Sequence, residues 1–125
     1  MLEKLKIALI GPGVMGEAIL SGLINSKTCP ADAIIISGPE NDRNSWLQQK
    51  YHVQVAADNG SAAANADVIV LAVKPQRFTQ VAKSLKGKIP TGAVIVSIIA
   101  GVKLDNLANA LGNPNIIRAM YRSVL

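Results

Sequence analysis

Lys6-Ile7-Ala8-Leu9-Ile10-Gly11-Pro12-Gly13-Val14-Met15-Gly16 decides how the rest of the chain is read. The apolar run up to Ile10, ended by glycines, suits a central strand buried on both faces. From Val14 to Asn25 the positions Met15, Ala18, Ile19, Gly22 and Leu23 recur at helical spacing. The two periods meet at Gly11 to Gly16, which matches G-x-G-x-x-G in the strand-to-helix context that gives the pattern its meaning.

Each glycine has a separate task in such a turn. Gly11 permits the tight bend, Gly13 lets the backbone approach a pyrophosphate with no Cβ in the way, and Gly16 lets the helix pack close to the strand. The anion then meets the N–H groups of Val14 and Met15 at the positive end of the helix. Pro12 has no N–H to offer, which costs little where the helix-start amides carry the contact. The plain alternative is a glycine-rich turn that only connects a strand to a helix.

Beyond this unit the chain keeps alternating. Strands are expected at Ala33–Ser37, Val53–Ala56, Val68–Val73, Ala93–Ile98 and Ile116–Ala119. Helices are expected at Asn44–Tyr51, Ser61–Asn65, from Pro75 to about Leu85, and at Leu104–Leu111 with Gly112 as the C-cap. Alternation of this kind predicts a single α/β domain over residues 1–125, a Rossmann-type doubly wound parallel sheet in three layers. Its ligand belongs at the carboxyl ends of the strands.

Composition agrees and excludes several classes. Half of the 125 residues are hydrophobic, mostly aliphatic, as buried parallel strands under Ala-rich helices require. The apolar stretches Val68–Val73 and Ala93–Ala100 fall far short of the roughly 18 residues of a membrane span. Gly11-Pro12-Gly13 interrupts the run from Met1 to Ile10 before it forms a signal-peptide core, so no export and a cytoplasmic location are expected. Cys29 is the only cysteine, which rules out an internal disulfide. Cys29 reads as a buried or loop thiol and His52 as a turn residue after a helix, so no metal site is expected. The formal charge is +5, yet Lys83, Lys86 and Lys88 form the only dense cationic group, at a solvated helix end. A phosphate-bearing ligand therefore fits better than nucleic acid.

The choice of dinucleotide turns on the end of the second strand, where a carboxylate about 20 residues beyond the loop would bond a ribose 2′-hydroxyl. Position 37 is Ser. Its hydroxyl can donate to a 2′-phosphate, and Arg43 in the following loop would add charge, although Glu40 lies close enough to oppose it. NADP is preferred on this reading, with NAD as the alternative.

Three further segments share an order with the glycine loop: Ala72-Val73-Lys74-Pro75-Gln76, Ser97-Ile98-Ile99-Ala100-Gly101-Val102 and Ile116-Ile117-Arg118-Ala119-Met120. Together these resemble pyrroline-5-carboxylate reductase from about Lys6 to Met120, and the A-V-K-P-Q segment with S-x-x-A-G-V is much more specific than the loop. The resemblance implies NAD(P)H-dependent reduction of 1-pyrroline-5-carboxylate to proline. It also implies that Ala72 to Pro75 line the pyrophosphate and ribose, that Ala100 and Gly101 approach the nicotinamide, and that Asn59 lies near the adenosine ribose. Singly, each segment has a bland reading: Lys74 a solvated charge, Pro75 a helix starter, Gly101 a turn, Arg118 the partner of a core carboxylate.

Two departures stand out. Val14 replaces the usual Asn before Met15, and Tyr121-Arg122-Ser123-Val124-Leu125 follows Met120 where the family has P-N-T-P. The family continues into a helical domain that dimerises and helps to hold substrate. The resemblance thus implies that this domain is absent here and that the chain alone turns over poorly; the residues themselves offer no acid/base dyad, nucleophile–base pair or metal ligand set, so no catalytic residue is named. Alternatives are a non-catalytic dinucleotide-binding module and a β-hydroxyacid or phosphogluconate-type dehydrogenase, which shares G-x-G-x-M-G but does not usually carry A-V-K-P-Q.

Overall fold

A computed structural model of the chain describes residues 5–112 and 115–119. Met120 and the residues after it, where the departure from P-N-T-P falls, lie outside that range. Strands β1 (Ile7–Ile10), β2 (Ile34–Ser37), β3 (Gln54–Val55), β4 (Val68–Leu71), β5 (Val94–Ser97) and β6 (Ile116–Arg118) form one sheet in the order β3-β2-β1-β4-β5-β6. Every pairing is parallel. Helices α1 (Val14–Asn25), α2 (Asn41–Tyr51), α3 (Asn59–Ala63), α4 (Phe78–Leu85) and α5 (Leu104–Leu111) connect them.

Alternation along β1 sends side chains to two separate cores. Ala8 and Ile10 join Ile69, Leu71 and Ile95 under α3, α4 and α5, where Leu85, Leu107 and Leu111 are fully covered. Ile7 and Leu9 join Ile34, Ile36 and Val70 under α1 and α2, with Leu20 and Leu47 at 0% exposure. Burying each such leucine stabilises the fold by roughly 2 kcal/mol. Helices on both faces of the sheet make the expected three layers.

The register draws the carboxyl edge. Ile10 stands opposite both Ser37 and Leu71, and Leu71 opposite Ser97. The first crossover runs from β1 outward to β2, and the crossover from β3 through α3 returns past them to β4 on the other side of β1, so the strand order reverses at β1 and a crevice opens beyond Ile10.

Departures from the expected elements are local and have physical causes. Strand β3 keeps two of four expected residues because, at the sheet edge, only β2 pairs with it. Helix α2 begins three residues early, at Asn41, through a polar first turn that carries no apolar period. Helix α3 begins at Asn59 instead of Ser61 because the Asp58 side chain accepts the Ser61 N–H at 2.7 Å. Pro75 opens a 3₁₀ turn, Pro75–Arg77, which runs into α4. Gly112 and His52 both close helices in the left-handed conformation, with φ of 68° and 63°. Cys29 is buried.

Candidate functional site

The glycine loop emerges from β1 between β2 and β4. Gly11 has φ +89°, and its N–H donates to Ser37 O at 2.9 Å, tying the loop to the end of β2. A Cβ on Gly11 would lie 2.6 Å from Val73 Cγ1 and 2.9 Å from Val73 Cα, so the A-V-K-P segment presses on the loop from the β4 side. A Cβ on Gly16 would lie 2.6 Å from Gly11 O, which sets how closely α1 meets the turn.

Gly13 differs. It is the N-cap of α1, and nothing stands within 4 Å of where its Cβ would be. The first helical bond runs from Glu17 N–H to Gly13 O at 2.8 Å. The amides of Val14, Met15 and Gly16 consequently have no acceptor among the described residues, the normal state of a helix's first turn. Val14 is 86% exposed and Met15 36%. The loop thus presents free donors beside open space at the positive end of a helix of 12 residues.

The β2 end is arranged differently from the expectation. Ser37 is 2% exposed, and its hydroxyl donates inward to Asn59 Oδ1 at 2.7 Å. Asn59 Nδ2 donates on to Ser84 Oγ at 2.9 Å, and Ser84 Oγ to Val81 O at 2.6 Å. Two expected site residues are brought together, in a half-buried relay that joins β2, α3 and α4. Arg43 is not in a loop: it lies in the first turn of α2, and its guanidinium reaches back to Pro12 O, Gly13 O and Glu17. Glu40 is the exposed N-cap of α2.

Sequence reasoning missed Gly38 and Asn44. A Cβ on Gly38 would stand 2.6 Å from Pro12 Cδ and 3.3 Å from Asn44 Oδ1, so Pro12 and the β2–α2 turn interlock. Asn44 is 4% exposed and donates to Gly38 O at 3.0 Å, while its Oδ1 is buried with no hydrogen-bond partner. The signal was there to read: Ser-Gly-Pro straight after a strand marks a turn that needs a residue without a Cβ.

On the far side of the crevice, Ala72 and Val73 are half-buried and Lys74 and Pro75 exposed. Ser97 is fully buried, and its Oγ accepts the Ile99 N–H at 3.3 Å, turning the chain toward Ala100 and Gly101. Both are exposed, Gly101 with φ +77°. Gly101 borders an open cleft with Phe78, Thr79, Val102 and Asn106 between α4 and α5. Arg118 is exposed, with no carboxylate in ion-pair range among the described residues. No group of three metal-ligating side chains is present among them either.

Glu17, in the first turn of α1, is the electrostatic centre of the α1–α2 seam. It accepts from Arg43 at 2.8 Å, Lys50 at 3.3 Å and Tyr51 Oη at 2.7 Å. The Tyr51 hydroxyl is the main reason its carboxyl titrates below the usual range; burial opposes this, and Arg43 and Lys50 reinforce it. A lowered folded pKa stabilises the fold at pH above the unfolded value of about 4.3, and that stability is lost as pH falls through the folded value. Thermal midpoints measured from pH 6 down to pH 3 should therefore fall, and fall less steeply in Glu17→Gln; equal slopes in both proteins would refute the assignment.

A family model described as NADP oxidoreductase, coenzyme F420-dependent, matches residues 6–101. The chain is 41% identical over 117 residues to a pyrroline-5-carboxylate reductase of Synechocystis sp., covering 94% of this chain and 43% of that protein. It is 40% identical over 120 residues to the Escherichia coli enzyme of the same name, covering 95% and 44%. Among solved structures, a pyrroline-5-carboxylate reductase from Coxiella burnetii superposes with a TM-score of 0.87 at 33% identity, over 93% of this chain and 43% of that one. The Plasmodium falciparum pyrroline carboxylate reductase with NADP bound superposes with a TM-score of 0.80 at 25% identity, over 96% and 43%. The chain thus spans less than half the length of the relatives it matches.

Proposed function

The chain belongs to the NADP oxidoreductase, coenzyme F420-dependent family as an N-terminal domain of pyrroline-5-carboxylate reductase type, and on that premise we propose that it binds NADP(H) for reduction of 1-pyrroline-5-carboxylate to proline. The carrying observation is the set of partnerless amides at Val14, Met15 and Gly16, beside a Gly13 whose missing Cβ leaves space on the ligand side.

The residues present suit the dinucleotide. Diphosphate oxygens accept from the amides of Val14 and Met15, and the positive end of α1 favours their charge. The first-turn amides of α2 at Asn41 and Asp42 are likewise free, because the first bond of that helix is Asn44 N–H to Glu40 O. They offer a 2′-phosphate the donors that Ser37 has committed elsewhere. The orphan Oδ1 of Asn44 is an acceptor at the same edge, suited to a ribose hydroxyl. Ala72 to Pro75 border the loop from β4, and Ala100 and Gly101 border the cleft suited to the nicotinamide end.

When bound, the nicotinamide supplies the hydride for the imine carbon. This chain's residues hold and orient it, and no side chain among them is assigned to proton transfer. Reduction we assign to this domain acting with the helical, dimerising portion that the resemblance implies, within a homo-oligomer. None of the described helices is long and apolar enough to cross a membrane. A cytoplasmic location is proposed with it, where Cys29 stays reduced.

Calorimetric titration with NADPH and NADH tests the binding half: saturable heat is expected, and none with millimolar ligand would sink the reading. Loss of NADPH absorbance with 1-pyrroline-5-carboxylate, measured with this chain supplemented in trans by the helical domain of a relative, tests the catalytic half.

A further inference from the structure

Arg43 occupies a position that is locally unfavourable for a cation. It is the third residue of α2, in the positive first turn of that helix. Its side chain leaves the helix and crosses to the glycine loop, where Nε donates to Pro12 O at 3.0 Å and Nη2 to Gly13 O at 3.3 Å and Glu17 Oε1 at 2.8 Å. The guanidinium also lies over the Trp46 ring, 5.1 Å from its centroid.

The consequence follows from peptide geometry. In a planar trans peptide the C=O and N–H point in opposite directions. The carbonyl of Gly13 and the N–H of Val14 belong to one such unit. Holding Gly13 O toward Arg43 turns the Val14 amide away from it. The Glu17 N–H holds the same oxygen at 2.8 Å from the α1 side, so the plane is restrained twice. Arg43 also neutralises Glu17, a carboxylate that would otherwise repel a diphosphate at the head of α1.

We infer that Arg43 is a positioning residue for diphosphate binding: it aims the Val14 amide by holding the carbonyls behind the loop, and it does not read the adenosine 2′-position. Two carbonyls and a carboxylate need the planar fork of a guanidinium; a lysine ammonium would hold fewer of them. The inference rests on the dinucleotide reading above, but it makes a different demand. A ligand to the 2′-phosphate would distinguish NADPH from NADH, whereas a residue that aims the loop affects every ligand that carries the diphosphate.

The test is calorimetry of the protein with NADPH, NADH and ADP-ribose, for wild type, Arg43→Met and Arg43→Lys. In Arg43→Met all three dissociation constants should rise about tenfold, the cost of a misdirected hydrogen bond to a charged group. The ratio of NADPH to NADH affinity should stay within about twofold of wild type, since no 2′-contact is removed. Arg43→Lys should show a smaller loss, again shared by all three ligands, and decides the matter if Arg43→Met does not fold. In the unliganded proteins, the Val14 amide resonance should shift between wild type and variant in nitrogen–proton NMR spectra. Selective loss of NADPH, unchanged affinities, or an unmoved Val14 resonance would each overturn the inference. A wild type that binds none of the three ligands overturns the dinucleotide reading and this inference with it; a wild type that binds, with variants unchanged, overturns this inference alone.

Discussion

Gly11→Ala is expected to lower the stability of the domain by about 3–5 kcal/mol, the sum of left-handed strain and overpacking. The backbone at Gly11 has φ +89°, where an L-residue is strained. The new Cβ would also stand 2.6 Å from Val73 Cγ1 and 2.9 Å from Val73 Cα and N. Backbone atoms of the neighbouring β4 segment cannot step aside as a flexible side chain can. Whole-domain stabilities run only about 5–15 kcal/mol, so a loss of this size removes a large share. The thermal midpoint, followed by circular dichroism, should drop by more than about 10 °C. A midpoint within about 2 °C of wild type would show that the loop and the β4 segment are not packed as described.

Gly13→Ala should do the opposite, leaving the fold intact and removing the ligand. Gly13 has φ −81°, which alanine adopts, and no atom within 4 Å of the added methyl. Restricting the unfolded chain and losing a glycine N-cap offset each other within about 1 kcal/mol, so the midpoint should barely move. The methyl, however, fills the open space beside Gly13 through which, on the proposed reading, a diphosphate approaches the amides of Val14 and Met15. Two charge-assisted hydrogen bonds are then lost or stretched, at about 1.5 kcal/mol or more each, which raises the dissociation constant for NADPH by roughly 100-fold or more. Calorimetry alongside the thermal midpoint checks both halves. An affinity within about threefold of wild type would move the diphosphate elsewhere. Taken as a pair, the two variants separate a glycine needed by the protein from one needed by its ligand, although both belong to one motif.

The sheet was legible because it is central. Strands β1, β4 and β5 have neighbours on both sides and read as continuous Val, Ile and Leu, and each was placed to within two residues at either end. Legibility failed at the edges and at polar helix starts. Strand β3 shrank to Gln54–Val55 where pairing exists on one side only, and α2 gained Asn41 to Arg43, whose helicity follows no apolar period. The cap that moves α3 forward, Asp58 on the Ser61 N–H, shows in the sequence only as an Asp ahead of a helix.

In the site, the packing demands on the glycines are legible in the motif, whereas the protein partners of the side chains are not. Gly11 and Gly16 are required by atoms two to three ångströms away, and Gly13 by having none. The sequence offers Ser37 and Arg43 as groups for a 2′-phosphate; what it does not show is their protein partners, Asn59 for Ser37 from 22 residues away and loop carbonyls for Arg43 from 30 and 31 residues away.

Local order along the chain was enough to establish a parallel sheet, its glycine turn and the family, because those depend on periodicity, on backbone freedom and on motifs contiguous in sequence. The partners of Ser37, Arg43, Asn44 and Glu17 were decided only when β2, α1 and α2 packed together. A hydrogen bond depends on distance and direction in space, and a side chain's type names what it can donate or accept without naming the atom that will answer it.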